Sequence, residues 1–353
     1  MELLLSNLLP LRTCNRTFAD CFETALVNCD SLKIATGYIS TDSITELKKI
    51  IEINEKTNLE LLIGMHYFDG ITKPQYDAVN YLDCFLQSKG MQGVRIATVL
   101  KFHGKLYSFK RSGKFLGSIV GSSNLSGISN NHSSYEADVF IDDEEFSEGV
   151  DTFIRQSFVS ISSPFSDWNP TSFIENNPLL QDIQGAKKVS VEEVQGLFAG
   201  QHPTVFDIPL KSSGDAPRSN LNAYFGKGRE NKATGFTKPR HWYEVELIVP
   251  KEITDNAEYP KEENGNNIFR VVTDDGWSFT CKTSGDYSKN FRSQDDLKIL
   301  GKWIKGRLEN YNVLKVGEQV TENVLSNYGR NSFKLIKSLV DGVWLLDFSL
   351  PGL

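Results

Sequence analysis

Three stretches of the chain carry side chains able to act on a phosphate. The first is His103-Gly104-Lys105. Gly121-Ser122-Ser123-Asn124 begins eighteen residues after the histidine, and Glu136 stands twelve residues after Asn124. Residues 94–100 and 116–120 are short apolar runs rich in β-branched side chains, and they read as buried strands. Alternate residues of a strand face one way, so His103 and Lys105 are expected on one face. The strand ending at Val120 then delivers a small polar turn beside them. An imidazole, an ammonium, hydroxyls and a carboxamide around one spot suit a phosphate. Cation and donors hold its oxygens while the imidazole attacks phosphorus.

This pattern resembles the phospholipase D superfamily, whose signature is H-x-K-x4-D followed by G-S-x-N. His103, Lys105, Gly121, Ser122 and Asn124 match it. The signature Asp does not: Lys110 stands seven residues after the histidine. The segment up to the glycine is also longer, as if a hairpin through 110–114 were inserted. The nuclease branch of the superfamily, some restriction enzymes included, tolerates that loss. It carries a Glu after the G-S-x-N, which Glu136 would match.

Composition bounds the reading. A length of 353 residues predicts about two domains. No apolar run approaches the ~18 residues needed to span a membrane. Residues 1–10 lack the basic start and cleavage site of a signal peptide. Cys14, Cys21, Cys29, Cys84 and Cys281 form no C-x-x-C and read as reduced core residues of a cytoplasmic protein. His66, His132, His202 and His241 have no ligand spacing to them, so no zinc site is predicted. The net charge of −7 argues against a uniformly basic nucleic-acid coat. Basic residues instead cluster locally. Residues 95–115 hold six and no acidic one, residues 211–240 hold seven against two, and residues 282–307 hold seven against three. Three basic patches on an acidic chain fit a polyanion bound along defined grooves.

Helical spacing over 15–29, 41–54 and 74–89 alternates with apolar strands at 32–39, 59–65 and 94–100. A hairpin (106–109 with 115–120), a strand at 135–141 and a helix through 158 follow. This alternation predicts an α/β sandwich with a mixed sheet over residues 1–165. Tyr38 and His66 end early strands and read as packing residues. Turn formers at 160–170 and 176–178 mark a linker, 166–200, holding a short helix at 189–198. From 201 to 353 the pattern is mainly β. Strands are expected at 242–249, 268–273, 277–282, 313–316 and 343–348, with a helix over 294–309.

That second pattern resembles the B3-like pseudobarrel of plant transcription factors and of some restriction-enzyme target-recognition domains. In that family two arms grip the DNA major groove. The resemblance puts one arm over 277–292, with Lys282, Ser284, Asp286, Tyr287, Lys289, Asn290 and Arg292 offering donors and acceptors. The other arm falls within 218–243, with Arg218, Asn220, Asn222, Lys227, Arg229 and Arg240 as candidates. Trp242, Trp277, Trp303 and Trp344 read as core, and His241 as a surface residue.

Together the two resemblances imply a restriction endonuclease that hydrolyses DNA without metal or other cofactor, through a phosphohistidine. His103, Lys105, Ser122, Asn124 and Glu136 would be its catalytic set, with Glu136 orienting the histidine. The superfamily builds its site from two H-x-K motifs and this chain has one clear copy. A homodimer sharing one active site is therefore expected. Some related restriction systems add a separate helicase-like ATPase and a cognate methyltransferase; this chain has no G-x4-G-K-[ST] of its own. Two other readings stay open: a phospholipase D-type phosphodiesterase on a non-DNA substrate, and an inactive DNA-binding regulator.

Overall fold

A computed structural model describes residues 1–129, 134–181, 183–210, 220–232, 235–261 and 267–350. The chain divides into two units, Met1–Asn176 with Gly228–Pro239, and Asn177–Lys227 with Arg240–Leu353.

The first unit contains β1 (Glu2–Leu5), α1 (Phe18–Asn28), β2 (Ser31–Thr36), α2 (Thr41–Ile53), β3 (Asn58–Ile63), α3 (His66–Asp69), α4 (Lys73–Ser88), β4 (Arg95–Ala97), β5 (Lys105–Arg111), β6 (Lys114–Gly121), β7 (Ala137–Ile141), α5 (Glu144–Ser160) and β8 (Ser162–Pro164). Its strands form one eight-stranded mixed sheet in the order β1-β7-β6-β5-β2-β3-β4-β8. Strands β2, β3 and β4 run parallel; β5 pairs antiparallel with β2. The central strand β2 is buried at every position after Ser31, because both faces of the sheet are covered. Val150, Ile154 and Phe158 of α5 pack with Ala35, Leu62 and Ala97 on one face. On the other, Phe22 of α1 meets Tyr107 and Phe109 edge-on.

Helix starts are written locally. Ser40 and Ser43 form a capping box at α2, as Thr72 and Gln75 do at α4. Asp143 caps α5 and Glu144 and Glu145 follow it, where negative charge suits a helix N-terminus. The expected hairpin is β5–β6; it turns through Ser112 (φ 50) and Gly113 (φ 80). Two expectations need correction. The strand at 94–100 shrinks to β4: the N–H groups of Thr98 and Val99 both turn to the Ile161 carbonyl, and Val99 and Leu100 are 70% and 65% exposed. His103 precedes β5 and does not lie on it.

The second unit begins with β9 (Lys187–Lys188), α6 (Val191–Phe198) and β10 (Val205–Pro209). The next hairpin, β11 (Arg229–Glu230) with β12 (Thr237–Lys238), belongs to the first unit, where Lys238 pairs with Glu23 of α1 at 2.9 Å. The second unit resumes with β13 (Leu247–Ile248), α7 (Lys251–Thr254), β14 (Ile268–Thr273), β15 (Trp277–Ser284), β16 (Asn290–Ser293), α8 (Lys298–Asn310), α9 (Glu322–Tyr328), β17 (Ser332–Lys337) and β18 (Val343–Asp347). Its sheet runs β10-β17-β18-β14-β15-β16-β13, with β9 added on β15, which makes the unit mainly β. Trp303, Ile304 and Leu308 of α8 are fully buried beneath it.

Here the strand expected over 242–249 is reduced to β13. Its backbone is otherwise engaged: the Trp242 carbonyl accepts from Lys305 of α8 at 2.7 Å. The strand expected at 313–316 is absent because the N–H groups of Val313 and Leu314 turn back onto the Leu308 carbonyl and close α8. His241 is buried, not on the surface. Among the described residues no helix is long and apolar enough to cross a membrane.

Candidate active site

The phosphate chemistry read from the sequence assembles at the carboxyl ends of the parallel strands β2 and β3, where open α/β sheets place their ligands. Thr36, the last residue of β2, has Lys105 as its Cα partner on β5. The segment before β5 is tied down by the Phe102 N–H, which donates to the Gly64 carbonyl beyond β3. His103 follows it, exposed. Lys105 is buried; its Nζ donates to the His103 carbonyl at 2.8 Å and lies 3.2 and 3.3 Å from the ring nitrogens. The pair therefore meets because Lys105 folds back over the histidine, not through strand alternation.

Asn124 enters from the turn after β6. Its Oδ1 accepts from the Tyr38 N–H at 3.0 Å, which fixes the carboxamide and leaves Nδ2 as the free donor. The Thr36 hydroxyl accepts from the Leu125 N–H at 3.2 Å and locks the same turn. Asp138, buried on β7, holds Ser123 by its N–H at 2.9 Å and its hydroxyl at 2.6 Å. Burial pushes the Asp138 carboxyl up from the usual carboxylate range. The signature glycine has a matching reason: a Cβ on Gly121 would stand 2.5 Å from the Asp138 Cα and 2.7 Å from the Ala137 carbonyl. Asp138 escaped the sequence reading; its signal was its place two residues beyond Glu136 on a β-strand pattern.

Glu136 does not orient His103 within one chain. One of its oxygens accepts from the Ser122 hydroxyl and the other from the Ser134 hydroxyl at 2.7 Å. Among the described residues the ring nitrogens of His103 meet only Lys105. Glu136 acts on Lys105 instead: burial lowers the lysine's proton affinity, and the Glu136 charge opposes that.

Lys110, in the place of the signature Asp, also has a structural account. Its Nζ lies 3.0 Å from Oδ2 of Asp151, a buried carboxylate on α5. Arg155 Nε approaches the same oxygen at 3.0 Å, and Lys33 Nζ approaches Oδ1 at 3.6 Å. These contacts have ion-pair distance without hydrogen-bond angles at Oδ2. Here the strand supplies the cation and the helix the acid. His66 is structural too. Its Nε2 accepts from the Ile39 N–H at 3.1 Å and its Nδ1 faces the Gly70 carbonyl at 2.9 Å, which requires the proton on Nδ1. Burial lowers its pKa, so the ring stays neutral.

In the second unit, register places four of the expected arm residues on one face. Lys282 pairs with Arg292 and Ser284 with Asn290, while Cys281, Thr283, Phe291 and Ser293 turn inward. Asp286 and Tyr287 are exposed at the hairpin tip, where Tyr287 has φ 60. Lys289 Nζ stands 3.6 Å from Asp286. Gln294 continues the outward row and was not foreseen, although the period of two pointed to it. Its Oε1 and the Arg292 Nε are buried without a hydrogen-bond partner among the described residues.

The described candidates of the other arm stand in different surroundings. Asn222 is buried and bonds the Val320 backbone twice, at 2.9 and 3.0 Å, so it is a core residue. Arg229 stands on the first unit. Asn220 opens a 3-10 turn with φ 53, Lys227 is exposed, and Arg240 pairs with Glu244 at 2.9 Å. Arg218 lies outside the described residues.

Comparison with known proteins gives two family matches. The profile of the NgoFVII restriction endonuclease N-terminal PLD domain matches residues 16–163. That of the NgoFVII C-terminal B3-like DNA-binding domain matches residues 197–338. No curated protein matches the sequence. Similar solved structures include Nuc, a phospholipase D family member from Salmonella typhimurium. It is 11% identical, with 46% of this chain and 97% of that one covered at a TM-score of 0.32. NucT from Helicobacter pylori is 15% identical, covering 40% and 87% at 0.30. Phosphatidylserine synthase from Haemophilus influenzae Rd KW20 is 13% identical, covering 48% and 41% at 0.35. With the two domain profiles of one restriction endonuclease together covering most of the chain, it belongs to the restriction endonuclease branch of the phospholipase D superfamily, with a C-terminal B3-like DNA-binding domain.

Proposed function

We propose that the chain is a metal-independent, site-specific deoxyribonuclease that works as a homodimer in the cytoplasm. The observation that carries this reading is the convergence of His103, Lys105 and Asn124 at the end of β2. His103 attacks the scissile phosphorus and expels an alkoxide, forming a phosphohistidine. One chain offers one such histidine, and the leaving oxygen needs a proton. The partner's His103 donates it, then takes a proton from the water that attacks the phosphohistidine and frees the enzyme. The Lys105 cation and the Asn124 amide hold the nonbridging oxygens as charge builds. The Glu136 charge opposes the burial that lowers the proton affinity of Lys105, and the Ser122 hydroxyl donates to Glu136.

Lys282, Ser284, Asn290 and Arg292 form the reading surface, with Asp286, Tyr287 and Lys289 at its tip. Arg292 presents a planar fork suited to guanine, and Lys282 and Lys289 point charges suited to phosphate. Asn220, Lys227 and Arg240 remain candidates for the second arm. Any ATP use comes from a separate helicase-like subunit.

Plasmid DNA incubated with the protein in excess chelator tests the core of this. Discrete fragments are expected. Cleavage that stops in chelator and returns with magnesium would overturn metal independence. A substrate other than DNA would overturn the nuclease reading.

A further inference from the structure

We propose that Tyr38, anchored by Asp69 and Lys101, is a positioning residue that sets the His103 ring for attack on phosphorus. The proposal rests on the nuclease reading for its consequence but not for its geometry. An exposed imidazole turns easily about its outer side-chain bond, where the torsional wells are broad. No carboxylate holds the His103 ring among the described residues, so something else must restrain it. Lys105 covers one side. On another stands the ring of Tyr38, its centroid 5.8 Å away and inclined at 79°. Gly37 completes the slot: a Cβ there would come within 3.3 Å of His103 Cδ2 and 3.4 Å of its Cα.

Tyr38 is itself held at both ends. Its backbone N–H donates to Asn124 Oδ1 at 3.0 Å, so the same residue orients the phosphate-facing carboxamide. Its hydroxyl donates to Asp69 Oδ2 at 2.6 Å, and Lys101 Nζ donates to Asp69 Oδ1 at 2.6 Å. Lys101 and Tyr38 hold the Asp69 carboxyl below its ordinary range, and Asp69 in turn raises the tyrosine. Tyr38 is therefore a protonated donor and Asp69 an ionised acceptor at neutral pH. The ring of His66 meets Tyr38 at 5.5 Å and 90° from behind. Tyr38 thus links the nucleophile, an oxyanion donor and a charged anchor, and acts through His103.

The test uses the full chain with Tyr38→Phe, Asp69→Asn and Tyr38→Leu. On plasmid DNA the first two should each lower kcat about tenfold with KM unchanged, and Tyr38→Leu about a hundredfold, the scale expected of a misplaced reacting group. Tyr38→Phe with Asp69→Asn should be no worse than either alone, since both break one hydrogen bond. A second readout does not need activity. In histidine-labelled protein, with His103→Ala assigning its resonance, the His103 ring signals should shift and broaden in Tyr38→Leu and move in the same direction in Asp69→Asn. If the wild type cleaves and all three variants match it, the positioning role is wrong. If no phosphodiester is cleaved but the His103 signals respond, the positioning stands and the nuclease reading falls. If the signals do not respond, the inference falls whatever the activity.

Discussion

Replacing His103 by Ala should abolish cleavage and leave sequence-specific DNA binding intact. Loss of a nucleophile in a covalent hydrolase costs on the order of 10⁶ in kcat. The reason to expect the full effect here is that, among the described residues of the first unit, no second imidazole is free to substitute. His66 is buried, neutral and committed at both nitrogens to Ile39 and Gly70. Lys105→Ala and Asn124→Ala should each cost ~10²–10³ in kcat, or about 3–4 kcal/mol, through lost stabilisation of charge in the transition state. Binding should persist because the reading surface on β15 and β16 belongs to the other unit. Plasmid cleavage and gel-shift competition on the same preparation check both halves. Cutting by a pure His103→Ala protein would remove the histidine from its assigned role.

Glu309→Ala should unfold the second unit at much lower denaturant, because it leaves buried hydrogen-bond donors without their acceptor at a cost of ~1–3 kcal/mol each. Glu309 and Lys305 are both fully buried on α8, one turn apart. Glu309 accepts from the Trp242 indole N–H and the Tyr243 hydroxyl, each at 2.7 Å. Lys305 donates to the Trp242 carbonyl and lies 4.3 Å from the Trp242 ring centre. Burial pushes Glu309 up to about 7 and Lys305 down to about 7, while the neighbours of each oppose that shift. Removing the carboxylate strands three buried donors, the third being the Asn177 amide, and takes away the charge that favours the Lys305 cation. Glu309→Gln, which keeps an acceptor in the same place, should cost less than Glu309→Ala. Urea denaturation followed by tryptophan fluorescence checks this. A Glu309→Ala protein as stable as wild type would mean that Glu309 does not hold residues 242–243 to the helix.

The sequence made the periodic parts of this molecule legible. Strand β2, α2 and α4 lie where apolar spacing and capping residues put them, because those signals are local. The His-Lys, Gly-Ser-x-Asn and Glu residues were found by type and spacing. What escaped was tertiary. Asp151 answers Lys110 from a helix 41 residues away on the sheet's face, and no spacing rule connects them. Asn222 looked like a DNA-facing amide because its partner, the Val320 backbone, lies 98 residues on. The run at 242–249 alternates as a strand should, yet Lys305 takes the carbonyl that a ladder would need. Arg229 was expected on the reading arm because chain position suggested it; its hairpin packs with the first unit instead.

The central claim is that hydrolysis proceeds in two displacements through His103. The configuration at phosphorus tests it directly. A duplex carrying one phosphorothioate of known configuration at the scissile position is hydrolysed in heavy-oxygen water, and the product's configuration is determined. Each in-line displacement inverts the centre, so attack by His103 followed by attack of water predicts net retention. Net inversion would mean that water attacks the phosphodiester in a single step, and would contradict the account.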